Sequence, residues 1–188
     1  MSKKVNTKNL TLKLCLTAMF IALVFVATKV LQIPFVGANG YFNLGDAVLL
    51  TGALFLGPVY GAVAAGVGAA LADVISPFAI YAPATLVIKA LMAVVFYFIA
   101  VKPMKKQSKI LIRILFVVLG ALVAEAVMVG GYFVFETCLY GVGTAALSVV
   151  GNVTQGACGL VIAAVLVNVL SANKRIREFS GLQISENA

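Results

Sequence analysis

Six apolar stretches, separated by short breaks rich in glycine, proline or lysine, fill nearly all of this 188-residue chain. They run over about 11–31, 44–56, 59–75, 81–101, 110–135 and 145–170. A helix rises about 1.5 Å per residue and the hydrocarbon core of a bilayer is about 30 Å thick, so stretches near 20 residues are the length a crossing requires. The breaks are Gln32 to Asn43, Gly57-Pro58, Ser76-Pro77, Lys102 to Lys109 and Gly141 to Thr144, each with the turn chemistry that ends a helix. Composition agrees: 63% of residues are hydrophobic and 11% charged, against roughly 25% charged in an ordinary globular domain. The expected fold is all-α and integral to the membrane, a six-transmembrane-helix bundle forming one domain over 1–188, with a polar tail over 171–188. Spans 44–56 and 59–75 are short and must stand nearly upright, leaning on protein neighbours.

Charge sets the orientation. The net charge is +8, yet the basic residues do not line an amphipathic face that would read as a nucleic-acid surface. They form three clusters: Lys3, Lys4, Lys8 and Lys13; Lys102, Lys105, Lys106, Lys109 and Arg113; and Lys174, Arg175 and Arg177. With the N-terminus in the cytoplasm, six crossings put all three clusters inside, 12 of the 14 basic residues, while the loops at 32–43, 76–80 and 136–144 carry none. The positive-inside rule therefore predicts cytoplasmic N- and C-termini and contact of the clusters with anionic lipid. The first stretch exceeds the apolar core of a signal peptide and reads as a retained helix. Lys29, near the outer end of the first span, is placed to snorkel.

Several reactive residue types are missing or inert. The chain has no histidine, the commonest general base and metal ligand, and its three cysteines, Cys15, Cys138 and Cys158, have no C-x-x-C spacing. They read as buried thiols. No catalytic residue, metal site or cofactor is expected; protease or zinc-hydrolase chemistry would need a serine-histidine pair or histidine ligands.

Ionisable residues inside the spans carry the functional signal, because each costs roughly 2.5–3.5 kcal/mol at mid-helix on insertion scales. They are Asp46, Asp73, Lys89, Glu125 and Glu136. Counted from the outer helix ends, Lys89 lies about 12 Å deep and Glu125 about 15 Å deep, in one layer. Asn152 and Gln155 share a face of the sixth span at the same depth. Tyr81, Thr85 and Lys89 form one helical stripe, and Glu125, Met128 and Tyr132 another. Three such stripes describe a pocket open to the outside and suited to a small, flat, polar heterocycle. In it Lys89 would donate to a carbonyl or anionic group, Glu125 accept from N–H or O–H, and Asn152 and Gln155 do both. Tyr81, Tyr132 and Tyr41 would supply stacking surfaces, and the loop 32–43 a lid. The competing interpretation makes Lys89 and Glu125 a structural ion pair and the amides interhelical contacts. Asp46 and Asp73 lie near outer helix ends, where capping is as good an account as ligand contact.

These residues together resemble the substrate-binding S components of energy-coupling factor (ECF) vitamin transporters. The resemblance rests on Ala18-x-x-x-Ala22, Asn43-Leu44-Gly45-Asp46, Gly57-Pro58-x-x-Gly61, Gly68-x-x-x-x-Asp73 and the block from Tyr81 to Lys89, and spans about 11–170. It is similar to the riboflavin-type and related families. The resemblance implies capture of a vitamin or precursor from outside, with riboflavin, pyridoxine-like and hydroxymethylpyrimidine-like compounds as candidates. It implies a membrane coupling subunit and two cytoplasmic ATPases as partners, in the plasma membrane of a prokaryote, with Ala18 and Ala22 facing the coupling subunit. It also implies toppling of the whole subunit to release cargo. The absence of histidine sets this chain apart from the family's nickel and cobalt branch. Gly66-x-Gly68 lacks the Lys-Ser or Lys-Thr of a phosphate-binding loop, so ATP hydrolysis falls to partners. The alternatives are a self-contained ion- or proton-coupled carrier or channel, in which Asp73, Lys89 and Glu125 line a path, and a scaffold that needs no ligand.

Overall fold

A computed structural model describes residues 7–35, 37–105, 107 and 109–176. Lys3, Lys4, Lys106, Arg177 and the tail beyond 176 lie outside them, as does the side chain of Lys8. Among these residues five helical stretches are long and apolar enough to cross a membrane, built on α1 (Thr7–Val30), α2 (Gly45–Val74), α3 (Ala82–Phe96, within the span Ala79–Met104), α4 (Ile110–Tyr140) and α5 (Val142–Ala172). A 3₁₀ turn, Ala79–Tyr81, leads into α3, which continues through a π-helical stretch, Tyr97–Val101, and a last turn, Lys102–Met104. Two short strands, β1 (Ile33–Pro34) and β2 (Tyr41–Phe42), pair antiparallel in the loop after α1.

Five helices nevertheless supply six antiparallel arms, because α2 is folded in two at Gly57. This residue has φ 75° and ψ −173°, open to glycine alone at little cost, and Pro58 follows with no N–H to continue the ladder. Beyond the break the chain reverses, so that a Cβ at Gly61 would lie 3.2 Å from the Cα of Ala53. Contacts with α1 confirm the reversal. Along the first arm, Thr28 meets Gly45 and Phe20 meets Gly52, an antiparallel order. Along the second arm, Phe20 packs with Ala64, Val24 meets Gly68, and Lys29 Nζ donates to the Ile75 carbonyl, a parallel order. The spans expected at 44–56 and 59–75 correspond to these two arms.

Glycines set the close helix approaches. A Cβ at Gly66 would stand 2.6 Å from the Leu86 carbonyl oxygen on α3, and one at Gly68 would stand 2.7 Å from the Ile21 carbonyl oxygen on α1. Gly120 on α4 meets Ala100 equally closely. Gly61, Ala65, Gly68, Ala69 and Ala72 are thus spent on internal packing. Ala18 and Ala22, in contrast, lie on an exposed face of α1 beside Leu14, Met19, Leu23 and Val26. Large apolar side chains also cover the outer faces of α4 and α5, the surface a lipid-embedded bundle presents. Inside, Leu49, Leu50, Leu54, Met92, Phe96, Val117, Met128 and Val167 form one core.

Two local expectations change. Helices α4 and α5 are longer than expected, since the break between them is Gly141 alone, at φ 84°. Cys15 and Cys138 are exposed on the bundle surface rather than buried, because each falls on a helix face directed away from the core. Lys29 reaches the Gln32 side chain, at 3.1 Å, and the Ile75 carbonyl, linking α1 to the end of α2. At the opposite end of the bundle Lys13 lies over the Tyr60 ring and Lys105 over Tyr97; burial first, then the charge of Lys13, lowers the Lys105 pKa. Arg113 there donates to the Ser171 carbonyl and ties α4 to α5.

Because the Ile21 carbonyl cannot move without distorting α1, Gly68→Val should lower stability by about 1–3 kcal/mol, read as an earlier thermal unfolding transition in detergent. Val63→Ala, on the exposed face of the same arm, should leave that transition nearly unchanged.

Candidate functional site

The polar stripes converge under the loop after α1. Paired β1 and β2 shape this loop, which docks on α5 through three contacts. Phe35 lies against Gly151, where a Cβ would come within 2.6 Å of its ring; Ser148 Oγ donates to the Asn39 carbonyl at 3.0 Å; and Asn43 bonds Gln155. Gly37 and Gly40, both at positive φ, let the loop turn back. Below it lies a small cavity with an open mouth.

The lining falls into two tiers. At the mouth stand Gly40, Tyr41, Asp73, Tyr81 and Glu136. Tyr41 donates to Asp73 and packs against Phe78 at 4.7 Å between ring centres, and Tyr81 donates to Glu136 at 3.2 Å. Burial, reinforced by the neighbouring Asp73 charge, raises the Tyr41 pKa, so its hydroxyl remains a donor. One or two turns deeper stand Asn43, Thr85, Tyr132, Asn152 and Gln155. Thr85 and Tyr132 share a hydrogen bond of 2.9 Å, fixing α3 to α4.

Beneath the floor lies an ion cluster. Lys89 pairs with Asp46, both buried, and Gln155 Nε2 donates to the other oxygen of Asp46 at 2.6 Å. Gln155 Oε1 accepts the backbone and side-chain N–H groups of Asn43 at 3.1 and 3.0 Å. The chain Lys89, Asp46, Gln155, Asn43 therefore joins α3, the first arm of α2, α5 and the base of the lid. Lys89 also sits over the Tyr132 ring at 5.6 Å. Glu125 is buried alongside against Gly156 and Gly159, where a Cβ on Gly159 would stand 2.7 Å from its Oε1. Among the described residues, neither oxygen of Glu125 has a hydrogen-bond partner.

Of the eight ligand contacts expected from sequence, Tyr41, Tyr81, Thr85, Tyr132, Asn152 and Gln155 line the cavity, whereas Lys89 and Glu125 lie under it. The partner of Lys89 is Asp46, not Glu125. Asp46 was expected at a watered helix end, as a cap or a ligand contact, but the first arm of α2 is five residues shorter than the second (12 against 17) and starts about 7 Å deeper. The turn before α2 is held instead by Asn43 Oδ1, which accepts the Gly45 N–H at 2.8 Å. Four lining residues were absent from the expected set: Gly40, Asn43, Asp73 and Glu136. The cost of an intramembrane carboxylate marked the last two; only chain reversal at Gly57 shows where Asp73 faces.

A family model for ECF-type riboflavin transporter S components matches residues 8–172. This chain belongs to that family. The S component is therefore a multi-pass membrane protein and a substrate-binding transport subunit, and the family is not an enzyme class. It is also 35% identical over 153 residues to an "uncharacterized protein in gap 3'region" of Pyrococcus woesei, a match covering 81% of this chain and 96% of that protein.

Removing one member of the buried pair strands the other's charge. Lys89→Met in this S component should cost about 3–5 kcal/mol of stability, and Lys89→Met with Asp46→Leu should recover most of it, tested by thermal unfolding of both variants.

Proposed function

We propose that the S component captures riboflavin from outside a prokaryotic plasma membrane and delivers it through a membrane coupling subunit driven by two cytoplasmic ATPases. The observation that carries the cargo assignment is the cavity itself. Its walls alternate tyrosine rings with amide, hydroxyl and carboxylate groups, the combination a flat heterocycle with a hydroxylated side chain needs. Membership of a riboflavin-transporter family points the same way.

In this reading Tyr81 and Tyr132 flank the ring system, and Asn152 and Gln155 hydrogen-bond its carbonyl and imide groups. The Thr85 hydroxyl adds a polar contact, and Tyr41 adds a ring face while its hydroxyl stays on Asp73. Lys89 acts through Asp46, orienting the Gln155 amide instead of touching cargo, and Glu125 packs behind that assembly. The loop 32–43 is the lid: a ligand that contacts Asn43 and Gln155 rests on the hydrogen bonds that hold the lid down, so occupancy and closure are coupled. Ala18 and Ala22 present a small-residue strip on the exposed face of α1, where a helix of the coupling subunit can approach closely. The positive-inside pattern supports cytoplasmic termini.

Protein purified in mild detergent from cells grown in rich medium, then denatured, should release stoichiometric riboflavin by absorbance and mass spectrometry. A different vitamin in its place would overturn the cargo assignment. The Ala18→Leu, Ala22→Leu double variant should retain binding within about twofold while losing uptake in cells supplying the coupling module. Loss of binding together with uptake would place those alanines in folding rather than at the partner interface.

A further inference from the structure

The charge at the cavity mouth narrows what can enter, an inference that rests on the riboflavin reading and sharpens it. Two carboxylates, Asp73 and Glu136, line the mouth, and among the described residues no lysine or arginine lines the cavity. Among the described residues, the two cations at this end are engaged elsewhere: Lys89 is paired with Asp46 under the floor, and Lys29 is held by Gln32 and the Ile75 carbonyl. Adding Asp46 and Glu125, this end of the bundle holds four carboxyl groups against two ammonium groups.

Glu136 is the more telling of the two. It is 1% exposed, on α4, one turn before the helix ends. Tyr81 donates to its Oε1, whereas Oε2 is buried and has no partner at bonding distance among the described residues: Ser148 interacts with Glu136 but gives its hydroxyl proton to the Asn39 carbonyl. A buried acceptor left open beside a cavity is costly unless an incoming group satisfies it. Asp73, by contrast, already receives the Tyr41 hydroxyl.

We propose that Glu136 is a specificity-determining residue that accepts a hydrogen bond from a hydroxyl or N–H of the ligand, and that Glu136 and Asp73 together exclude a phosphate ester of that ligand. A phosphate dianion buried at the mouth would need a cation or a cluster of free N–H groups. Neither protonation state of a carboxyl supplies that cation, and the amino end of α3 that borders the cavity carries Pro83, which lacks an N–H. An uncharged hydroxylated chain, in contrast, brings the donor that Oε2 lacks.

The test is titration of the purified, ligand-stripped full chain with riboflavin and with its 5′-phosphate, followed by flavin fluorescence. Wild-type protein should bind riboflavin about 100-fold more tightly than the phosphate. Glu136→Gln should weaken riboflavin and bring the ratio below about tenfold, with Asp73→Asn shifting it in the same direction. Affinities within threefold of each other in the wild type would overturn the inference while leaving riboflavin as cargo, as would a ratio unchanged in both variants. Should Glu136→Gln not fold, the wild-type ratio and Asp73→Asn decide. Binding of neither flavin would remove the riboflavin reading and this inference with it.

Discussion

The Lys89–Asp46 ion pair is the contact on which the rest of the outer half depends. A lone ammonium or carboxylate at this depth is unfavourable by several kcal/mol, so the two must meet, and meeting fixes the first arm of α2 against α3. The second oxygen of Asp46 then orients Gln155, and Gln155 in turn anchors Asn43 at the base of the lid. Four separate parts of the chain are thereby held in register by one buried charge network, and the cavity lies directly above it. An apolar substitute of the same volume could hold the helices, but it would not orient an amide toward the cavity floor.

Glycine makes that network reachable. The reversal at Gly57 shortens the first arm, sinking Asp46 to the level of Lys89, while Gly159 leaves room for both Asp46 and Glu125 against α5. Gly151 does the same for Phe35 of the lid. In each case the missing side chain on one element is filled by a side chain from another, so that a chain rich in small residues packs closely around a polar site. The division of labour follows: small residues inside set distances, large apolar ones outside meet lipid, and a minority of polar groups carry recognition.

Much of the site was legible before any fold was known. The expense of placing Asp73, Lys89, Glu125 and Glu136 in apolar spans marked all four, and helical spacing correctly put Tyr81 with Thr85 and Asn152 with Gln155. What spacing misjudged was pairing and tier. Depth counted from helix ends assumes every span starts at the same level, and the short first arm breaks that assumption, hiding Asp46 as the partner of Lys89. Cys15 and Cys138 were misjudged for a related reason. In a bundle whose helices are apolar all round, hydrophobicity does not distinguish a core face from a lipid face.

Residue content alone determined that this chain lives in a bilayer, that it is helical, that it has six arms, and that a few charged and amide groups near the outer side matter, because lipid penalises every unpaired polar group regardless of fold. Only the tertiary structure decided which carboxylate neutralises Lys89, which oxygens remain open at the mouth, and which small residues face inward or outward. Those outcomes depend on arm lengths, helix rotation and close approach at glycines, quantities set by packing between distant segments rather than by any local run of sequence.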